Sequence, residues 1–376
     1  MTAVIKTLPT QEQPYARIAV IGGGAWGTAL ASVAASAGRT VRLFARDPET
    51  VAAINTRHVN DKYLDDIPLP ASLTATDNLD DALADADAVL LVVPSRSVRA
   101  MAARIAGQIK DGTPVAVCTK GIEPKTGYLM SQVVAEEIPH VPVGTISGPT
   151  FARETAMGHP TAATVAFEFS HKDRLEPMHS PAARLALSMS TGFFKTYISD
   201  DLVGVEIGGA VKNVVAIGCG MMTGAGFAEN TRAALITRGL DEMKVLAEAL
   251  GGRRETVTGL AGTGDLTLTC SSQTSRNMSL GVQLGQGTPR AECFGGAPVV
   301  VEGEANAASV IDLARRVKVA MPICETVYSI LHEGRDLNAA FADLWTQPIE
   351  AEPRAMELSL KNPAHASMTR LDGGAA

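Results

Sequence analysis

Several features that mark whole classes of protein are missing from this 376-residue sequence. Its five cysteines are widely spaced and include no C-x-x-C pair, which excludes a disulfide-dense scaffold and favours a reducing compartment. Its seven histidines lack metal-ligand spacing, so we predict no metal site. Basic residues are not in excess, because 33 Lys and Arg face 40 Asp and Glu. The net charge of −7 argues against a general nucleic-acid or anionic-membrane binder, although a local cationic pocket remains compatible with it.

A signal pattern of charged and then apolar residues is also missing at the N-terminus. One stretch, residues 207–228, resembles a membrane span in having Lys212 as its only charged residue. Its six glycines, with Asn213 and Thr223, favour a buried core helix ending in a glycine-rich loop. We therefore expect a cytoplasmic protein with no membrane span.

What the sequence does contain is a strand–turn–helix pattern near its start. Apolar residues 18–21 predict a short buried strand, and glycines follow at Gly22, Gly24 and Gly27 before an alanine-rich helix. This is the dinucleotide-binding fingerprint in its required context, with an ordinary glycine turn as the alternative. In that reading the first glycine allows the tight turn, the second lets a pyrophosphate approach the backbone, and the third lets the helix pack closely. The helix N-terminus would attract the phosphates.

Strand and helix patterns alternate as far as residue 199 and predict an α/β fold, a Rossmann-type doubly wound, mainly parallel sheet. Helical periodicity dominates from residue 200, where no confident strand is found, and predicts an all-α C-terminal domain. We expect the following organisation: a loose extension over residues 1–16, a dinucleotide-binding Rossmann domain over 17–199, an all-helical substrate domain over 200–360, and a tail over 361–376.

Lys212 is an isolated charge within an apolar helical pattern. Gly208 and Gly209 lie one turn before it and would let a ligand approach closely. A lysine in such surroundings is costly to desolvate in its charged form, so its pKa should fall and make it a usable acid or base. The alternative is a lysine whose charged end reaches the surface. Lys120, between a strand and a glycine, fits a functional lysine and a solvated loop lysine equally well; two lysines in one pocket would attract an anion.

Two other segments could bind a ligand but have simpler explanations. Asp265 follows the glycine-rich turn 261–264 and by default would be a plain helix N-cap. Residues 275–277, Ser-Arg-Asn, open another helix and could hold a phosphate, although a solvated face is the default interpretation.

Arg46 bears on the choice of cofactor because it lies just past the second predicted strand. A carboxylate near that point usually holds the ribose 2′-hydroxyl in NAD enzymes, whereas an arginine can accommodate the 2′-phosphate of NADP. The adjacent Asp47 is expected to cap a helix instead. This pattern favours NADP without excluding NAD.

Short sequence blocks spread over residues 17–335 carry the most specific signal. They are GAWGTALA (24–31), CTKG (118–121), SGPTFA (147–152), GAVKNV (209–214), NTRAALITRG (230–239), TCS (269–271), SRN (275–277), VEG (301–303) and MPI (321–323). In these blocks the chain resembles the soluble bacterial NAD(P)-dependent sn-glycerol-3-phosphate dehydrogenases. The resemblance implies interconversion of dihydroxyacetone phosphate and sn-glycerol 3-phosphate by hydride transfer with NADP(H) or NAD(H), supplying glycerophospholipid synthesis. It also implies a cytoplasmic homodimer.

The same resemblance implies a role for individual residues. Lys212 would be the proton donor and acceptor, and Asp265 and Asn213 would orient it or the substrate hydroxyls. The substrate would be held by Lys120, Gly148, Thr150, Asn213, Asp265, Ser275, Arg276 and Asn277. Besides the three fingerprint glycines, the dinucleotide would contact Ala25, Trp26, Arg46, Lys120, Ala152, Arg276, Val300 and Glu302.

Two other functions remain open at this point. A related two-domain hydroxy-acid dehydrogenase would need a carboxylate-binding site in place of the Ser-Arg-Asn segment. A non-catalytic NADP-binding sensor would bind the dinucleotide without substrate-dependent oxidation of NADPH.

Overall fold

The computed structural model describes residues 13–352 and 358–366. By internal contacts the chain divides into two compact units. The first comprises Met1–Cys118, Val134–Ile146 and Thr150–Asp200, and the second comprises Thr119–Val133, Ser147–Pro149 and Asp201–Ala376. Residues 1–12 of the predicted extension and 367–376 of the predicted tail lie outside the described residues.

One large sheet forms the centre of the first unit. Its strands are β1 (Arg17–Ile21), β2 (Thr40–Phe44), β3 (Leu73–Thr76), β4 (Ala88–Leu91), β5 (Val115–Val117), β6 (Val143–Ser147), β7 (Thr161–Phe167) and β8 (Phe194–Ser199). They lie in the order β3-β2-β1-β4-β5-β6-β7-β8, and the pairs β1–β2, β1–β4, β2–β3, β4–β5, β5–β6 and β7–β8 are parallel. The chain thus winds outward in both directions from β1, which confirms the predicted doubly wound class.

Helices connect these strands and cover both faces of the sheet, so that a strand such as β4 is apolar and buried at every position. They are α1 (Ala25–Ser36), α2 (Pro48–Arg57), α3 (Leu79–Leu83), α4 (Val98–Ile105), α5 (Met130–Glu137), α6 (Ala152–Ala156), α7 (His171–Leu175) and α8 (Pro181–Met189). As predicted, α2 begins at a proline and its N-cap is Asp47, whose side chain accepts a hydrogen bond from the Glu49 amide at 3.1 Å.

From Asp201 onward, the described part of the second unit is helical apart from one small ribbon. Its helices are α9 (Leu202–Gly224), α10 (Glu229–Ala249), α11 (Arg254–Val257), α12 (Asp265–Ser271), α13 (Arg276–Gly285), α14 (Glu302–Arg316), α15 (Pro322–Glu333) and α16 (Leu337–Trp345), with a π-helical turn at Leu260–Gly264. The expectation that no strand occurs here is wrong in one place. Strands β9 (Ile349–Glu350) and β10 (Ser359–Leu360) pair antiparallel, and two-residue strands are too short to leave a sequence pattern.

Helix α9 is the core of the second unit and packs against α10, α12, α13, α14 and α15. It is long and apolar enough to cross a membrane, yet 94% of its most apolar window is buried inside the protein. The structure therefore supports the prediction of a core helix over that of a membrane span.

Glycines allow α9 and α13 to approach backbone to backbone. A Cβ atom added at Gly220 would lie 2.3 Å from the Met278 carbonyl oxygen, and one added at Gly281 would lie 2.1 Å from that of Ile217. No side chain fits at either position. This contact fixes the position of α13, whose first turn carries the Ser-Arg-Asn segment, against the helix that carries Lys212.

We expect Gly281→Ala to destabilise the protein by at least about 1–3 kcal/mol, because the added methyl must displace the α9 backbone. Urea unfolding measures this change. Gly107→Ala is the matched control, since a Cβ there meets nothing within 4 Å and its φ lies outside the left-handed region. A similar loss of stability in both variants would show that the close helix approach is not responsible.

Candidate active site

The glycine turn between β1 and α1 has the properties a dinucleotide phosphate requires. Gly22 has a φ of +131°, and a Cβ there would lie 2.1 Å from the Val92 carbonyl oxygen. A Cβ at Gly27 would lie 1.8 Å from the carbonyl oxygen of Gly22, so the helix packs directly on the turn. Gly24, by contrast, borders open space and is the N-cap of α1, which it cannot cap with a side chain. The first amides of α1 are thus left for an anion, and the turn fits a pyrophosphate.

A buried side chain that sequence reasoning missed supports this turn. Asn60 is fully buried, and its amide donates to the Gly23 carbonyl oxygen at 3.1 Å and to the Thr28 hydroxyl at 2.8 Å. It joins the segment after α2 to the glycine turn and to the first turn of α1. No local pattern marks it, because its partners lie 37 and 32 residues away in the sequence.

Arg46 is an exposed residue just beyond β2. Among the residues that the structure describes, it has no ion-pair or hydrogen-bond partner. Its neighbour Asp47 is committed to the α2 N-cap and to an ion pair with Lys62 at 2.9 Å. The Arg46 guanidinium is therefore available to a ligand at the end of β2, whereas the Asp47 carboxylate is already engaged.

In the second unit, two lysines meet on one buried carboxylate. The Lys212 ammonium on α9 donates to Asp265 Oδ1 at 2.7 Å, and the Lys120 ammonium donates to Asp265 Oδ2 at 2.5 Å. Lys120 also lies 3.5 Å from the Gly148 carbonyl oxygen. Lys212 is 6% exposed and Asp265 is 2% exposed, so Lys212 does not reach the surface. We call Lys120, Lys212 and Asp265 the lysine–aspartate cluster.

Burial and the attraction between opposite charges shift the pKa values of this cluster in opposite directions. Burial lowers the pKa of Lys212 because it disfavours the ammonium form; the attraction of Asp265 opposes the shift, and the charge of Lys120 adds to it. Burial alone would raise the pKa of Asp265, but the charges and hydrogen bonds of Lys120 and Lys212 outweigh it and hold that pKa below its usual value. With both lysines protonated, the cluster carries one net positive charge and attracts an anion.

Asp265 does not act as the plain N-cap expected from its local sequence. It is the first residue of α12, the N-cap is Gly264, and its carboxylate binds the two lysines instead of the helix amides. The local pattern was misleading because a helix start and an ion-pair partner both favour aspartate at this position.

Thr269 is a member of the site to which sequence reasoning gave no role. Its hydroxyl donates to the Asp265 carbonyl oxygen at 2.6 Å and lies 2.7 Å from the Lys212 ammonium. A hydroxyl has one proton to donate, and this one is directed at the Asp265 carbonyl oxygen. The hydroxyl therefore accepts the hydrogen bond from Lys212. The four-residue spacing between Asp265 and Thr269, which places both on one helix face, is the signal that could have found it.

A second polar network continues from the neighbour of Lys212. The Asn213 amide nitrogen lies 3.3 Å from Glu302 Oε2, and its oxygen accepts from the Asn277 amide at 2.9 Å. Asn277 in turn accepts from the Gly303 amide at 2.9 Å. The network fixes the first turns of α13 and α14 against α9.

The start of α13 presents a cation to solvent. Ser275 is the N-cap, and its side chain accepts from the Met278 amide at 3.3 Å. Arg276 is exposed and, within residues 13–352 and 358–366, has no ion-pair or hydrogen-bond partner. An unpaired guanidinium at a helix N-terminus is suited to a phosphate.

The remaining predicted site residues divide between the two units. The second unit holds Val300, which is 48% exposed and lies just before α14. The first unit holds Thr150 and Ala152, the latter beginning α6, together with Ala25 and Trp26 at the start of α1.

Gly208 and Gly209 have a different role from the one expected. A Cβ at Gly208 would lie 2.8 Å from the Ala261 carbonyl oxygen. One at Gly209 would lie 3.1 Å from Lys120 Cγ and 3.3 Å from Ser147 Oγ. The two glycines therefore admit protein groups, among them the side chain of Lys120, where we had expected a ligand.

Replacing the shared carboxylate should be strongly destabilising, because the buried Lys212 ammonium and the partly buried Lys120 ammonium then lose their counter-charge. We expect Asp265→Asn to lower the free energy of unfolding by about 3–5 kcal/mol at neutral pH. Since burial lowers the pKa of Lys212, this loss of stability should shrink as pH rises and Lys212 loses its proton. Urea unfolding over a pH series measures both effects. Asp85→Asn, which disrupts the exposed pair with Lys110, is the control and should change stability far less; equal losses would show that burial of the cluster is unimportant.

Comparisons with known proteins agree with this geometry. The family model of the NAD-dependent glycerol-3-phosphate dehydrogenase N-terminus matches residues 17–173, and the model of its C-terminus matches residues 201–342. The curated glycerol-3-phosphate dehydrogenase (NAD(P)+) of Parvibaculum lavamentivorans is 45% identical over 338 residues, which cover 90% of this chain and 98% of the relative. That of Caulobacter vibrioides is 46% identical over 338 residues, covering 90% and 99%.

A solved structure gives the same result. The crystal structure of glycerol-3-phosphate dehydrogenase from Coxiella burnetii is 38% identical, with a TM-score of 0.80, and the match covers 89% of this chain and 99% of that one. The chain matches the family models of both halves, and it matches these relatives over nearly their whole length. These matches assign the chain to one family. The chain belongs to the NAD-dependent glycerol-3-phosphate dehydrogenase family.

Proposed function

We propose that the protein reduces dihydroxyacetone phosphate to sn-glycerol 3-phosphate with NADPH or NADH, catalyses the reverse reaction, and supplies glycerol 3-phosphate for glycerophospholipid synthesis. The observation that carries the proposal is the lysine–aspartate cluster, a buried cationic proton donor in a chain of this family. The nicotinamide supplies the hydride when the dinucleotide is bound. The protein's own contribution is to hold the substrate and to move one proton.

Lys212 is the proton donor in this proposal. Hydride addition to the ketone carbon leaves negative charge on the carbonyl oxygen, which needs a proton. Lys212 has three N–H donors, of which Asp265 and Thr269 occupy two, so one is left for the substrate oxygen. The lowered pKa of Lys212 makes proton release easier. In the reverse direction the neutral amine takes the proton back.

Lys120 and the α13 start hold the anionic substrate. Lys120 keeps a positive charge beside the reacting oxygen and stabilises the developing charge. Arg276 and the amides of the first turn of α13 bind the phosphate, with Ser275 and Asn277 beside them. Gly148 and Thr150 complete the substrate contacts. Binding energy from the phosphate then positions the reacting carbon.

The dinucleotide contacts follow from the glycine turn and from the family resemblance. Gly22, Gly24 and Gly27 shape the pyrophosphate turn, and Arg46 contacts the 2′-phosphate of NADP. The further contacts that we assign to the dinucleotide are those of Ala25, Trp26, Lys120, Ala152, Arg276, Val300 and Glu302.

We further infer that the protein is a cytoplasmic homodimer, as the family resemblance implies. The two rival functions differ in one assay, the loss of NADPH absorbance with dihydroxyacetone phosphate. A hydroxy-acid dehydrogenase would require a keto acid instead. A sensor would bind NADPH and leave it unoxidised with either substrate.

Lys212→Met should lower kcat by at least roughly 10²-fold, the usual contribution of a positioned proton donor. Methionine keeps most of the side-chain volume and limits the packing defect. NADPH binding, followed by fluorescence, should stay near the wild-type level.

In the wild type, ketone reduction should slow as pH rises through the lowered pKa of Lys212, whereas oxidation of glycerol 3-phosphate should accelerate.

Lys110→Met is the matched control, because Lys110 is an exposed lysine paired with Asp85. It should leave kcat unchanged. A folded Lys212→Met protein with near-normal kcat would remove this lysine from the mechanism and make Lys120 the next candidate.

Arg46→Ala should raise the KM for NADPH by roughly tenfold or more, because a hydrogen bond to a charged group contributes about 1.5–3 kcal/mol. NADH lacks the 2′-phosphate and serves as the internal control, so its KM should change much less. Steady-state kinetics with the two cofactors measures the difference. An equal loss with both would refute the assignment of Arg46.

A further inference from the structure

Ser147, the last residue of β6, carries a buried hydroxyl that the roles described above do not use. The residue is 3% exposed, and its Oγ atom has no hydrogen-bond partner among the described residues. Of the other buried hydroxyls, Thr155 Oγ1 also lacks a partner in the described part of the chain, whereas Thr145 donates to the Val117 carbonyl oxygen at 2.7 Å and Thr269 is bound as described. A buried polar group without a partner is costly in a folded protein, so its retention needs a reason.

The surroundings of this hydroxyl supply that reason. Ser147 Oγ and Lys120 Cγ both lie against Gly209, at 3.3 Å and 3.1 Å from the position of an added Cβ. Gly209 precedes Lys212 by three residues, so both lie on the same face of α9. The residue after Ser147 contributes the carbonyl oxygen near the Lys120 ammonium. The unpaired hydroxyl therefore lies near the stem of Lys120, against the face of α9 that also carries Lys212.

We propose that Ser147 is a substrate-binding residue whose hydroxyl forms a hydrogen bond with a non-phosphate oxygen of the triose. A serine hydroxyl can donate to a ketone oxygen and can accept from a substrate hydroxyl, so it suits either end of the reaction. Phosphate recognition would favour a cation or a row of amides, which the α13 start already provides. The inference rests on the proposed function, because it takes the triose phosphate as the ligand.

The test separates a ligand contact from a structural role. Ser147→Ala removes a hydroxyl that bonds nothing in the free protein, so the Tm should stay equal or rise. The KM for dihydroxyacetone phosphate should rise about five- to fiftyfold, the range expected when one hydrogen bond to the ligand is lost. The KM for NADPH should change less than about twofold, since the triose alone loses a contact.

Thr145→Val is the matched control, two residues earlier on the same strand. Its hydroxyl is already bonded, so this variant should lose Tm and keep its KM for dihydroxyacetone phosphate. An unchanged KM in Ser147→Ala would overturn the proposal, and so would a lowered Tm or an equal rise in the KM for NADPH. Wild-type turnover tests the proposed function separately, so the two failures are distinguishable.

A substrate analogue locates the contact. Hydroxyacetone phosphate keeps the ketone and the phosphate but lacks the free hydroxyl. If the Ser147→Ala defect disappears with this analogue, the serine binds the free hydroxyl; if it persists, the serine binds the ketone oxygen. A defect absent with both substrates again overturns the proposal.

Discussion

The shared ion pair at Asp265 is the interaction around which the second unit is arranged. It joins residues 53 and 145 positions apart in sequence, Lys212 on α9 and Lys120 after β5. If the buried carboxylate were paired with one lysine, the two charges would cancel. Paired with two lysines, it forms a site with one net positive charge in which each lysine still has an ion-pair partner. The same carboxylate thus joins three chain segments and leaves a net positive charge that attracts anions.

The packing around α9 makes this arrangement possible. Lys120 can reach Asp265 because Gly209 leaves space for its stem, and the turn before α12 approaches because Gly208 has no side chain. Farther along the helix, Gly220 lets α13 lie against the α9 backbone. Small residues on one helix therefore set the positions of Lys212, of its counter-charge Asp265 and of the Ser-Arg-Asn segment together.

The parts that the sequence predicts are those with a local pattern. The alternation of strand and helix patterns predicted the doubly wound sheet, and an isolated charge in an apolar run favoured a buried Lys212. The local pattern at Asp265 favoured a plain cap because its partners are distant in sequence, and only the family resemblance gave it a role in the site. Thr269 and Ser147 received no role for a related reason: a hydroxyl's partner, or its lack of one, appears only after folding. The β9–β10 ribbon was missed because two-residue strands show no periodicity.

The composition of the cluster also means that deprotonation of the buried Lys212 does not leave the Asp265 carboxylate without a counter-charge. When Lys212 is protonated, the cluster has one net positive charge; when it is neutral, Lys120 and Asp265 remain as a balanced pair. A site with Lys212 and Asp265 alone would instead change from neutral to a lone buried anion, which is strongly unfavourable. The charge of Lys120 therefore matters for the protonation of Lys212 as well as for the net charge of the cluster. It lowers the free energy of the deprotonated form of Lys212, and so adds to the effect of burial on the pKa of that lysine.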